Sequence, residues 1–97
     1  MDPTLERILE LVEDNAYEFT EHALDRMAED DLDEEEVLSA IEQGFISKRQ
    51  RDRRGEATWV YTNLGDSEKN RAVYVAGKIV GETFRIFRIL TAKEDTG

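Results

Sequence analysis

Val37-Leu38-Ser39-Ala40-Ile41-Glu42-Gln43-Gly44-Phe45-Ile46-Ser47-Lys48-Arg49 is the stretch in which the chain changes period. Before Gly44, the apolar residues Val37, Leu38 and Ile41 fall on one helical face. After it, Phe45-Ile46-Ser47-Lys48-Arg49 begins a strand. Gly44 itself stands where a helix C-cap glycine is expected. Everything upstream of this switch reads as helix, and everything downstream as strand and turn.

Upstream, Asp33 followed by Glu36 has the spacing of a capping box and opens the third helix. Ala23, Leu24, Met27 and Ala28 form the stripe of a short second helix, with Thr20 as its N-cap and Glu21 in its first turn. Asn15-Ala16 makes a break. Leu5, Ile8, Leu9 and Val12 mark a first helix from about Pro3 to Asp14, with Pro3 where the first turn tolerates it. Downstream, Arg53-Arg54-Gly55-Glu56 supplies a turn, and Thr58-Trp59-Val60-Tyr61-Thr62 is rich in aromatic and β-branched residues. A polar loop over 64–70 leads to a third strand at 72–76, extending toward Val80. Gly81-Glu82 turns the chain into a fourth strand over 83–91, and residues 92–97 form a polar tail expected to fray.

The expected architecture is one domain over residues 1–97. It is α+β, with two to three N-terminal helices packed on one face of a four-stranded antiparallel sheet. In the final strand, Phe84, Ile86, Arg88 and Leu90 alternate with Arg85, Phe87 and Ile89. Both faces are mainly apolar, which predicts a central strand covered on both sides, one side by helices. Trp59 and Tyr61 share a face of their strand and are expected to extend the other side.

The 97 residues contain no Cys, which excludes disulfides, thiolate zinc sites and cysteine nucleophiles. No apolar run reaches the roughly 18 residues of a membrane span, and the N-terminus lacks the basic and apolar segments of a secretory signal. The expectation is a soluble cytoplasmic protein without a membrane partner. No Gly-rich phosphate loop, metal-ligand cluster or Ser-His-Asp set is visible, so no metal and no cofactor is expected. The acidic run over 29–36 lacks the spacing of a calcium loop and reads as helix capping and solvated charge.

The formal net charge of -10 argues against indiscriminate nucleic-acid binding. That average hides a division. Residues 1–46 carry sixteen acidic and two basic side chains, whereas residues 47–97 carry seven and eleven. Five of those cations, Lys48, Arg49, Arg51, Arg53 and Arg54, fall within seven residues. Arginine meets phosphate bidentately, so the cluster is a candidate nucleic-acid surface, with Trp59 and Tyr61 available for base stacking. The competing readings are an edge strand whose charges block aggregation and a contact for an acidic protein surface.

His22 is the only histidine and shares a helix face with Arg26, four residues on. The pair has the chemistry of a proton shuttle and an anion clamp for phosphodiester cleavage. Arg85 and Arg88 stand on an apolar strand, where a cation must find a partner or reach solvent. His22, Arg26, Arg85 and Arg88 are therefore the candidate catalytic residues. For each, a structural ion pair or packing role is the competing reading.

Phe19-Thr20-Glu21-His22-Ala23-Leu24-Asp25-Arg26-Met27, then Glu35-Glu36-Val37, Gly44 and Ile89-Leu90-Thr91, resemble a small bacterial and archaeal family, the domain of unknown function 4258. The resemblance spans about Tyr17 to Ala92, and the His-Ala-x-x-Arg-Met segment is its most specific part. That family is similar to the RelE and BrnT group of toxin ribonucleases, small α+β proteins paired with an antitoxin. The resemblance implies a RelE-like fold, His22 and Arg26 as a signature polar pair, and phosphate contact by Arg85 or Arg88. It further implies RNA as ligand, metal-independent cleavage and an antitoxin-like partner. The alternative is a non-enzymatic interaction module, a homodimer or partner-binding subunit, working through the sheet face.

Overall fold

A computed structural model describes residues 2–96; Gly97, the end of the expected tail, lies outside them. Helix α1 (Pro3–Glu13) is capped by Asp2, whose carboxylate accepts the Thr4 N–H at 2.9 Å. Its buried stripe is Leu5, Ile8, Leu11 and Val12. A short strand β1 (Tyr17–Phe19) leads into α2 (Glu21–Glu29) and α3 (Glu34–Gln43). Asp33 caps α3 by accepting the Glu36 N–H at 2.8 Å. Four strands follow: β2 (Phe45–Arg51), β3 (Trp59–Asp66), β4 (Ala72–Val80) and β5 (Ile86–Glu94).

The sheet has five strands in the order β1-β5-β4-β3-β2, not four, and it is mixed rather than antiparallel. β1 pairs parallel with β5 through Tyr17–Phe87, Glu18–Arg88 and Phe19–Ile89, while the other pairings are antiparallel. Three residues are too few for a period-two signal, so Tyr17-Glu18-Phe19 reads as the end of a break until β5 is there to pair with it. The addition makes β5 an internal strand, as its two apolar faces require. Two of its expected limits move. Thr83, Phe84 and Arg85 belong to the turn, and the strand runs on to Glu94 with Ala92 fully buried, so the expected fraying tail is sheet as far as Glu94.

A bulge between the β4 positions Ala76 and Gly77 moves their β5 partners from Thr91 to Ile89 and leaves Leu90 over. It turns Phe87, Ile89 and Ala92 all toward the helices. They join Ile8, Val12, Met27, Val37, Ile41, Val73 and Val75 in one core. The register also assigns Trp59 and Tyr61 to the helix side, because Tyr61 faces Gly77 and Gly77 faces Ile89. The expectation that these aromatics line the opposite surface is overturned. Gly44 is the C-cap of α3, as its place in the sequence predicts, with an extended rather than a left-handed backbone. It is glycine because a Cβ there would stand 2.3 Å from the Leu64 carbonyl, where the chain crosses Gly65.

Candidate functional site

Thr20 fixes the start of α2 against the sheet. Its hydroxyl accepts the Ala23 N–H at 3.1 Å and donates to the Leu90 carbonyl at 3.2 Å. His22 follows in the first turn and is exposed. On the sheet face away from the helices, Glu18 of β1, Arg88 of β5 and Lys78 of β4 lie side by side in register. The loop between β2 and β3 folds over them and supplies Asp52 and Glu56.

These five side chains form one chain of contacts. Arg88 Nε donates to Glu18 at 2.7 Å, and its Nη1 to Glu56 at 2.8 Å. The other oxygen of Glu56 accepts from Lys78 Nζ at 2.7 Å, and Lys78 reaches Asp52 at 3.2 Å. Lys78 retains only 2% of its side-chain exposure and Asp52 4%, so the pair is desolvated and mutually obligatory. Asp52 also accepts the N–H groups of Ala57 and Arg54, at 2.9 and 3.1 Å, which shapes the loop. The Ala57 N–H, with help from Arg54 and Lys78, holds the Asp52 carboxyl below the usual range. The Lys78 ammonium and then the Arg88 guanidinium do the same for Glu56. Both carboxylates are ionised at neutral pH and serve as holders of cations.

A cleft of about 760 Å³ opens beside this network. His22, Arg51, Arg53, Arg54, Lys78 and Arg88 border it, together with the carboxylates Glu18, Asp52 and Glu56. Five permanent cations thus meet three carboxylates. Arg53 and Arg54 are exposed and form no ion pair among the described residues. Arg88 keeps its Nη2 without a hydrogen-bond partner among the described residues. The cleft therefore presents spare guanidinium donors and one imidazole, a set suited to a phosphate.

Only part of the expected set meets here. His22 and Arg88 border the same cleft, with Arg51, Arg53 and Arg54 of the basic cluster. Arg26 does not border the cleft, and its Nη1 is bound to Glu29 at 2.7 Å, one helical turn away. Arg49 pairs with Asp2 at 2.9 Å and lies over the Tyr61 ring, while Lys48 stays exposed on the edge strand. Arg85 sits with Trp59 and Tyr61 around a separate hollow. Lys78, Glu18, Asp52 and Glu56 carry no recognised signal in the sequence. Lys78 had one available: a single cation inside the apolar run 72–80 needs a buried counter-charge as much as Arg88 does.

Residues 19–92 match the model of a protein family described as Domain of unknown function (DUF4258). The chain belongs to that family. The DUF4258 match starts at Phe19 in β1, ends at Ala92 in β5, and takes in every residue of the ion-pair chain except Glu18. It leaves α1 outside. No curated protein matches this DUF4258 member. Among its described residues no helix is long and apolar enough to cross a membrane.

Proposed function

We propose that this protein is a cytoplasmic, toxin-like domain with a RelE-like fold that binds RNA in the His22–Arg88 cleft and cleaves it. One observation carries the reading: a histidine and an arginine with an uncommitted nitrogen border the same cleft as three arginines of the basic cluster. The chemistry needs no group beyond these and the substrate. The 2′-hydroxyl of RNA attacks the adjacent phosphorus, and the bond to the 5′-oxygen breaks. His22 moves the proton from the attacking to the leaving oxygen. Products are a 2′,3′-cyclic phosphate and a 5′-hydroxyl. Arg88 Nη2, with Arg53 or Arg54, stabilises the extra charge on the phosphorus oxygens. Arg88 thus takes the anion-clamp role that the sequence offered to Arg26. Inducing the protein in a bacterial host is expected to arrest translation, and His22→Ala with Arg88→Ala to relieve the arrest. Wild-type induction without arrest would overturn the reading.

A second reading is an interaction module. It is favoured by Phe45, 56% exposed at the sheet edge, which stands in register with Leu64 and, through it, Tyr74 on the open face. A second copy or an antitoxin-like protein would cover this row. Sedimentation at micromolar concentration tests it: a dimer lost in Phe45→Ala supports it, and a strict monomer removes the homodimer form. Phe87 is unsuited to such a test because it is fully buried under the helices.

A further inference from the structure

Behind the loop that roofs the cleft lies a second, smaller hollow of about 210 Å³. Ala57, Thr58, Trp59, Tyr61, Ile79 and Arg85 border it. Ala57 and Thr58 belong to the same loop that sends Asp52 and Glu56 into the cleft, whereas Trp59, Tyr61 and Ile79 stand on the helix side of the sheet, so the two spaces lie on opposite faces with this loop at the sheet end between them. Arg51 links the two. It borders the cleft, and its guanidinium lies 4.9 Å from the centroid of the Trp59 ring. The hollow is smaller than the roughly 300–1,000 Å³ that holds a whole small-molecule ligand. It has the size and lining for one flat ring, with a guanidinium at its rim. Arg85 forms no ion pair among the described residues.

We infer that the hollow is a base-stacking subsite, and that the ligand of the cleft is therefore a single-stranded RNA straddling the 52–58 loop. This rests on the RNA reading of the cleft and adds the strand type. Phosphates lie on Arg53 and Arg54, and Arg51 follows the backbone across the loop. An unpaired base enters beside Trp59 and Tyr61, with Arg85 meeting its phosphate. A duplex keeps its bases stacked on each other and cannot offer one to the hollow. Its denser charge also meets the strongly acidic N-terminal half.

Trp59 is the only tryptophan, so its emission reports on the hollow directly. The full chain is titrated with an end-labelled 2′-O-methyl octanucleotide, which cannot be cleaved, and with the corresponding duplex and inorganic phosphate. Label anisotropy reads binding, and Trp59 emission reads the hollow. The single strand is expected to raise anisotropy and quench Trp59, the duplex to bind more weakly without quenching, and phosphate to leave Trp59 unchanged. Trp59→Ala should weaken single-strand binding about tenfold, with Trp59→Phe restoring most of it. Binding with Trp59 unmoved, or equal binding of both strand types, overturns the stacking subsite while leaving RNA in the cleft. No anisotropy change with either oligonucleotide overturns both.

Discussion

Arg71 and Arg88 are each gripped by two carboxylates, but they are gripped differently. Arg71 has committed all three nitrogens. Nε and Nη2 hold Glu94, at 3.1 and 3.2 Å, and Nη1 holds Glu36 and the Asp31 carbonyl. Nη2 also donates to the Asp30 carbonyl. Glu36 is fully buried and takes further contacts from Lys69 and Ser67. This cluster ties the α2–α3 loop and α3 to the end of β5, and it is closed. Arg88 spends Nε and Nη1 on Glu18 and Glu56, keeps the third nitrogen without a partner among the described residues, and borders the cleft. The same residue type is a strut where all its donors are engaged, and under the proposed function a binding group where one is left over.

The sharpest way to break this comparison is to truncate each network in turn. Arg88→Ala should lower RNA cleavage about a hundredfold or more, the scale of one lost charge-stabilising donor. Its unfolding midpoint in urea should move far less than that of a Glu36 variant, since Arg88, Glu18 and Glu56 all reach solvent. Glu36→Ala should do the reverse. It leaves Arg71 and Lys69 short of a buried partner and should cost about 2 kcal/mol in urea unfolding, with cleavage per folded molecule unchanged. A Glu36 variant that folds normally, or one that loses cleavage while folded, would erase the distinction.

Thr20→Ala is a smaller perturbation that sharpens the comparison at the cleft. Losing the α2 cap should cost about 1 kcal/mol, read by thermal unfolding. Cleavage should fall more than stability predicts, because the same hydroxyl ties the His22 turn to Leu90. Acid gives the smallest effect. Asp52 and Glu56 have carboxyls held below their ordinary range in the folded protein, so their contribution is complete at neutral pH. It is lost as pH falls through the folded values, which lie below the ordinary carboxylate range. Proteolysis at Arg53 and Arg54 should accelerate there as the loop is released. Loosening on raising the pH instead would have the wrong sign.

Most of the helical layer was legible in the sequence because its signals are local. Thr20 and Asp33 cap the helices their spacing announces, and the stripes of Ile8, Met27 and Ile41 do face the core. The strand β1 was not legible. Tyr17-Glu18-Phe19 pairs with residues seventy positions away, and no local pattern encodes that. The same gap explains the site. His22 and Arg88 border one cleft because β1 lies beside β5, whereas Arg26 lies outside it and pairs with Glu29 on its own helix. The basic cluster was visible as a cluster, but its division was not. Register and the curl of the loop direct Arg53 and Arg54 to the cleft and leave Arg49 on Tyr61 and Asp2.

The most direct test is cleavage of an end-labelled single-stranded RNA by the purified protein, with His22→Ala as its control. His22 is exposed in the first turn of α2, so the variant should fold with unchanged stability. The account predicts that the wild-type protein yields fragments ending in 2′,3′-cyclic phosphate, and that His22→Ala is slower by about 10² to 10⁴. Intact RNA after prolonged incubation with wild-type protein, or equal cleavage by the folded His22→Ala variant, would contradict it.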